Sequence, residues 1–170
     1  MPKITIDGKV FEVEEGLTVI EAARNNGIEI PHFCWHPALS ISGNCRMCLV
    51  EIVKMPKLMI ACQTKVADNM VVHTNSDRSI KAREAVMEFL LINHPLDCPI
   101  CDEAGQCKLQ DYTFKYSVGS SRFDEDKNEK RKREQLGPFV IFDAERCISC
   151  SRCIRFCDEI AKEPQLTFVN

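Results

Sequence analysis

Eleven cysteines in a chain of 170 residues fall into three groups, and their spacing is what could do chemistry here. The first group is Cys34, Cys45, Cys48 and Cys62, or C-x10-C-x2-C-x13-C. A 2Fe-2S rhomb has two irons, each completing its tetrahedron with two thiolates, so it asks for four cysteines supplied by a loop and a later strand. The plant-type pattern is C-x4-C-x2-C with a distant fourth cysteine; this chain keeps the x2 pair and widens the first gap. Gly43, just before the pair, would let backbone N–H groups approach the sulfurs, and such hydrogen bonds help set a reduction potential. The alternative is a four-cysteine zinc site, but zinc ordinarily uses two compact pairs and this group has one. Cys34-Trp35-His36 also looks like half of a Rieske site, whose other half is missing because Cys45 and Cys48 have no histidine between or just after them. His32 and His36 therefore read as loop or supporting residues, and His73 as a structural strand residue.

The second group is His94, Cys98, Cys101 and Cys107, or H-x3-C-x2-C-x5-C. Three thiolates leave one corner of a 4Fe-4S cubane open, and His94 is the nearby candidate for it. Taken alone, a histidine before proline also ends helices for local reasons, and three cysteines with a histidine equally suit zinc. The third group, Cys147, Cys150, Cys153 and Cys157, is C-x2-C-x2-C-x3-C, the bacterial ferredoxin run for a 4Fe-4S cluster. In that run proline follows the fourth cysteine; here Asp158 does. One 2Fe-2S and two 4Fe-4S clusters need twelve ligands, and eleven cysteines with His94 make twelve. The sum closes only if Cys157 is a ligand.

The elements that must position these groups are legible in outline. Ile4 and Ile6, then Val10 and Val13, alternate around Asp7-Gly8, a pair that favours a type I′ hairpin. Thr18 and Glu21 form a capping box for a helix through Ile20, Ala22 and Ala23 that Gly27 stops,. Strands are expected near 49–53, 58–62 and 70–74. Ser76 or Asp77 caps a helix expected to turn Ile80, Ala85, Val86, Phe89 and Leu90 to a core and to end at Asn93-His94-Pro95,. A helix over 108–116 follows, then a charged run, then a strand over 139–142. The fold class is α+β: a β-grasp 2Fe-2S ferredoxin-like domain over residues 1–76, a His/Cys3 4Fe-4S segment over 77–118, a charged linker over 119–137, and a 4Fe-4S ferredoxin-like segment over 138–170.

Bulk properties remove other classes. A net charge of −3 leaves no nucleic-acid footprint, and the run Asp124 to Gln135 holds five acids and five bases that cancel,. No apolar run approaches the ~18 residues of a membrane span, so membrane contact would come through partners. The opening residues lack a secretory pattern, which points to a reducing compartment and away from disulfides. No G-x-G-x-x-G is present for a nicotinamide or flavin, and no side chain stands out as a general acid, base or nucleophile.

The stretches PHFCWHPALSISGNCRMCLVEI, ACQTKVADNMVVHT, VMEFLLINHPLDCPICDEAGQCKLQDY and ERCISCSRCIRFCDEI together resemble the N-terminal part of the large iron–sulfur subunit of respiratory NADH:quinone oxidoreductase (complex I), the G subunit in bacteria and the 75 kDa subunit in mitochondria. The resemblance covers nearly the whole chain. It implies that Cys34, Cys45, Cys48 and Cys62 hold a 2Fe-2S cluster, that His94 joins Cys98, Cys101 and Cys107 on a 4Fe-4S cluster, and that Cys147, Cys150 and Cys153 hold another. The family's fourth ligand to that last cluster lies downstream in a Cys-Pro-Val-Gly segment, which this sequence does not contain. Either the chain is a fragment, the favoured reading, or Cys157 completes the site. The resemblance further implies electron transfer from NADH toward quinone as a subunit of the enzyme, with no substrate chemistry in this chain. The implied partners are a flavin- and NADH-binding subunit and other iron–sulfur subunits of the peripheral arm. The implied location is the cytoplasmic face of the bacterial inner membrane, or the matrix side in mitochondria. The alternatives are an electron-input module of an NAD-linked hydrogenase or formate dehydrogenase and, from a different class, a zinc-stabilised binding module.

Overall fold

The computed structural model describes residues 1–117 and 119–168. The expected segment limits at Val118 and Asn170 lie outside these. The chain divides into two compact units, Met1–Arg83 with Cys150–Asn170, and Glu84–Ser149.

The first unit is built on a hairpin of β1 (Lys3–Ile6) and β2 (Lys9–Glu12). Asp7 and Gly8 both take positive φ, +48° and +81°, which closes a two-residue turn whose twist matches the strands. The turn also reaches across the sheet, because the Asp7 carboxylate accepts from the Thr74 amide at 2.7 Å and from its hydroxyl. Helix α1 (Val19–Asn25) starts where expected: the Glu21 carboxylate accepts from the Thr18 amide at 2.8 Å and from the Thr18 hydroxyl at 2.7 Å. Its first amides are satisfied from elsewhere, Val19 by the Thr64 carbonyl at 2.8 Å and Ile20 by that of Ala61 at 3.0 Å. Helix starts leave such donors over, and here they tie α1 to the segment that carries Cys62.

Strands β3 (Leu49–Ile52), β4 (Met59–Ile60) and β5 (Met70–His73) complete a five-stranded sheet in the order β2-β1-β5-β3-β4. The central pair β1–β5 is parallel and the other pairs are antiparallel. Alternation along β1 puts Ile4 and Ile6 inside, where they meet Val50, Ile52 and Val72 from the sheet and Val19, Ile20, Ala22 and Ala23 from α1. Cys48 and Cys62 belong to this buried cluster, so the first cysteine set lies at the edge of the core. The mixed sheet with a helix across it is the α+β arrangement expected.

Helix α2 (Asp77–Leu91) departs from the reading of its sequence. Its fully buried side chains are Ser79, Arg83 and Met87, one every four residues. Ala85 is exposed, and Phe89 is 76% exposed. The apolar residues marked a stripe, but Arg83 competes for the inner face because the carbonyls of Leu49 and Thr74 accept from its Nη2 at 3.1 and 2.6 Å. A long cation with carbonyl partners is buried more readily than periodicity alone suggests.

In the second unit a 3₁₀ turn (Cys98–Ile100) and α3 (Lys108–Tyr116) follow. The charged run is exposed and non-helical up to a short β6 (Glu134–Gln135), which pairs with β7 (Ile141–Phe142). Back in the first unit, α4 (Arg152–Arg155) continues into a π-turn (Phe156–Ile160). Among the described residues no helix is long and apolar enough to cross a membrane.

Candidate iron–sulfur centres

Strand pairing places the first cysteine set. In the β3–β4 register Leu49 faces Ile60, and one step outward the Ala61 amide donates to the Cys48 carbonyl at 3.0 Å, which sets Cys62 beside Cys48. The other two cysteines come from the loop over 34–47. Gly43 and Arg46 take left-handed φ, +65° and +57°, and the chain coils so that amides turn inward. The Cys34 amide donates to Cys45 Sγ at 3.4 Å.

The four thiols lie within reach of one another. Hydrogen bonds from the Cys45 and Cys62 side chains hold the Cys34 thiol far below its ordinary range, against the effect of burial, with help from the amides of Cys45 and Asn44. Cys48 is lowered by the Cys62 side chain. The donors are displaced the other way: Cys45 is raised by its bond to Cys34 and by burial, and Cys62 by bonds to Cys34 and Cys48. Four converging thiols, with amides aimed at the sulfurs of Cys34, Cys45 and Cys48, are a donor set that fits a cluster binding two thiolates per iron. Gly43 is part of the fit, since a Cβ there would stand 3.3 Å from Ile60 Cδ1.

The second set lies within Glu84–Ser149. His94 sits in the turn after α2, half-buried, and its imidazolium is disfavoured first by that burial and then by Lys127. Lys127 Nζ donates to the carbonyls of Leu91, the last residue of α2, and of Ile92 just beyond it, at 2.8 Å each, a cation placed where a helix end favours one. A neutral imidazole is the form that binds iron. Cys98 opens the 3₁₀ turn with Pro99 behind it, Cys101 closes it, and Cys107 is the residue that caps α3. Just before Cys98, Asp97 accepts from Lys132 Nζ at 2.9 Å and Arg146 Nε at 3.1 Å, which keeps its carboxyl below the usual range, mostly through Lys132. The Lys132 pair fastens the charged run to the turn that carries Cys98, and the Arg146 pair fastens the residue before Cys147 to it.

The third set spans a tight coil. The Asp143 carboxylate accepts from the amides of Glu145 and Arg146 at 3.1 and 3.3 Å, and the Ser149 amide donates to Cys147 Sγ at 3.4 Å. Ser149 and Ser151 both take left-handed φ, +53° and +60°, so the backbone turns sharply at the two residues flanking Cys150. Cys153 lies in α4 and Cys157 in the π-turn, where the Cys157 carbonyl accepts from the Glu163 amide at 2.8 Å. Among the described residues no three metal-ligating side chains close on a point as they would around one ion; a cluster spreads its thiolates over different irons. His32 and His36 are occupied locally, His32 Nδ1 with the Ile30 carbonyl at 2.7 Å and His36 Nδ1 accepting from the Ala38 amide at 3.2 Å.

Reading the sequence did not single out Arg152, Arg155 and Glu159, which bind the loop of the first set. Arg152 Nη2 donates to the Trp35 carbonyl at 2.8 Å, Arg155 to the carbonyls of Cys34 and Ser40, and the Glu159 carboxylate accepts from the Ser40 amide at 2.7 Å. Two arginines interleaved with cysteines in CSRCIRFC were the available signal.

Three family models match successive parts of the chain: a 2Fe-2S iron-sulfur cluster binding domain over residues 2–77, an iron-sulfur binding region of NADH-ubiquinone oxidoreductase-G over 83–122, and a ferredoxin-like domain of NADH-quinone oxidoreductase subunit 3 over 137–170. The G subunit of NADH-quinone oxidoreductase from Rickettsia bellii is 54% identical over 161 residues, which are 95% of this chain and 24% of that protein. The NADH-ubiquinone oxidoreductase 75 kDa subunit of Reclinomonas americana is 50% identical over 170 residues, all of this chain and 24% of that protein. The chain thus spans about a quarter of the length of these relatives. Among solved structures, a crystal structure of an NAD+-reducing [NiFe]-hydrogenase in the H2-reduced state is similar with a TM-score of 0.88 and 29% identity, covering 99% of this chain and 71% of that one.

Proposed function

The chain belongs to the G-subunit family of NADH-quinone oxidoreductases and matches its N-terminal part, and we propose that it carries electrons from NADH, received through a flavin-bearing partner subunit, toward quinone. The observation that carries this reading is the convergence of Cys34, Cys45, Cys48 and Cys62 at the edge of the core. In the proposed assignment these four hold one 2Fe-2S cluster, and His94, Cys98, Cys101 and Cys107 hold a 4Fe-4S cluster. A second 4Fe-4S cluster sits on Cys147, Cys150 and Cys153, with its fourth ligand Cys157 or a cysteine of the full-length subunit. When bound, such clusters accept and pass single electrons.

The residues of the chain do the rest. The amides of Asn44 and Cys45 stabilise negative charge on Cys34 Sγ, and the core behind Cys48 and Cys62 keeps water away from it. Burial and Lys127 keep His94 neutral and ready to bind. The functional segments are residues 1–76, 77–118 and 138–170, with 119–137 as a connecting run, and the partners are the flavin subunit and further iron–sulfur subunits of a peripheral arm. Through them the chain would sit on the cytoplasmic face of a bacterial inner membrane, or on the matrix side in mitochondria. The hydrogenase likeness supports a second reading, an electron-input module of an NAD-linked hydrogenase, but its identity is far below that of the Rickettsia and Reclinomonas relatives.

Iron, acid-labile sulfide and EPR spectra of the reduced full-length subunit test the proposal. Iron and sulfide sufficient for all three clusters are expected, with one 4Fe-4S signal lost or altered in His94→Ala and the 2Fe-2S signal kept. Zinc without iron would overturn the reading, and unchanged spectra in His94→Ala would remove His94 from the ligands. In Cys157→Ser, loss of the third cluster makes Cys157 its ligand, and retention places that ligand downstream.

A further inference from the structure

Arg155 lies between two of the cysteine sets and is a ligand to neither. It is 9% exposed, and each of its side-chain nitrogens has a partner. Nη1 donates to the Ser40 carbonyl and Nη2 to the Cys34 carbonyl. Nη2 also reaches the Cys150 carbonyl at 3.4 Å, and Nε donates to Ser151 Oγ at 3.2 Å. One guanidinium therefore joins the backbone of a cysteine in the first set to that of a cysteine in the third. Contacts around it repeat the attachment: Arg152 to the Trp35 carbonyl at 2.8 Å, Ser151 Oγ to Ser42 Oγ at 3.2 Å, and Glu159 to the amide and hydroxyl of Ser40. All these residues belong to the same compact unit.

Burying a guanidinium is costly unless its donors are paired. Here the partners are carbonyls and a hydroxyl, which satisfy the donors and leave the positive charge in place. The planar fork is what lets one side chain reach Ser40, Cys34 and Cys150 together, and a lysine ammonium has no such geometry. Cluster potentials depend on local charge, hydrogen bonding and exposure. Reduction adds a negative charge, so a cation held in a medium of low effective dielectric beside both ligand loops favours the reduced state of each.

We propose that Arg155 is a positioning residue that pins the loop of the first cysteine set to the coil of the third, and that its buried charge raises the reduction potential of the clusters held at both. This rests on the ligand assignment proposed above.

The test is an EPR-monitored redox titration of the full-length subunit in native membranes, comparing wild type with Arg155→Met and Arg155→Lys. In Arg155→Met the reduction equilibria of the first and third clusters are expected to shift about tenfold toward the oxidised form, about 59 mV for one electron, while the cluster of the His94 set stays unmoved. Arg155→Lys, which keeps a charge without the fork, should recover at least half of that shift. Unmoved potentials in Arg155→Met, or an equal shift in all three clusters, would overturn the proposal. If Arg155→Met assembles neither the first nor the third cluster, Arg155→Lys decides: recovery of both, displaced from wild type by no more than half of that shift, supports the role, and failure to recover them overturns it. Wild-type membranes without iron–sulfur signals from this subunit would instead remove the ligand assignment, so the two failures are told apart.

Discussion

Gly43 is where backbone conformation and the first cysteine set meet, and Gly43→Ala separates two costs that are usually mixed. The residue is buried with φ at +65°. An L side chain in that region costs about 1–2 kcal/mol, and the lost freedom of glycine in the unfolded chain returns about 0.4–1 kcal/mol. The net strain is then about 1 kcal/mol, or about 4–8 °C in melting temperature for a domain of 60–100 residues. The new Cβ also stands 3.3 Å from Ile60 Cδ1, and either that methyl moves by a few tenths of an ångström or the loop does. Gly27→Ala is the control, because Gly27 has φ +74° and open space around the added carbon. Both variants should melt lower by a similar amount, measured on the metal-free chain by circular dichroism. Only Gly43→Ala should change the visible circular dichroism or the potential of the reconstituted 2Fe-2S cluster, because the amides of Asn44 and Cys45 next to it are aimed at Cys34 Sγ. An unaltered cluster in Gly43→Ala, or an equal alteration in Gly27→Ala, would show that the backbone at Gly43 does not hold these amides on the first cysteine set.

His94 is held below its ordinary pKa by burial and by Lys127, so the unfolded chain binds a proton there more readily than the folded one. The stability linked to neutral His94 is therefore complete above about pH 6.5 and is lost as pH falls through that value toward the folded pKa. Melts of the metal-free chain at about pH 7.5 and about pH 5.5 should differ less in His94→Asn than in wild type, and equal differences would discard the point. Arg83→Met leaves the carbonyls of Leu49 and Thr74 without their donor. At about 1–3 kcal/mol per stranded group, offset by no longer burying a charge, the loss should be about 2–4 kcal/mol in urea unfolding. A loss under about 0.5 kcal/mol, the range of ordinary surface substitutions, would show that this arginine does not fasten α2 to the sheet.

What could be read from residues alone was whatever is encoded locally. The Asp7-Gly8 turn, the Thr18 and Glu21 pair and the period-2 alternation in β1 are decided by a few neighbouring residues, and each element formed where it was expected. The spacing of the cysteines, with the stretches between them, carried the family likeness for the same reason. Tertiary packing decided the rest. The buried face of α2 went to Ser79, Arg83 and Met87 because carbonyls of β3 and of the turn after β5 offered partners to a guanidinium, a choice invisible to a count of apolar residues. The attachment of α4 and the π-turn to the loop over 34–42, with Arg155 at its centre, joins residues more than a hundred positions apart. No local pattern contains such a contact, since it exists only once the sheet has folded and presented the Cys34 and Ser40 carbonyls to a cation that needs them.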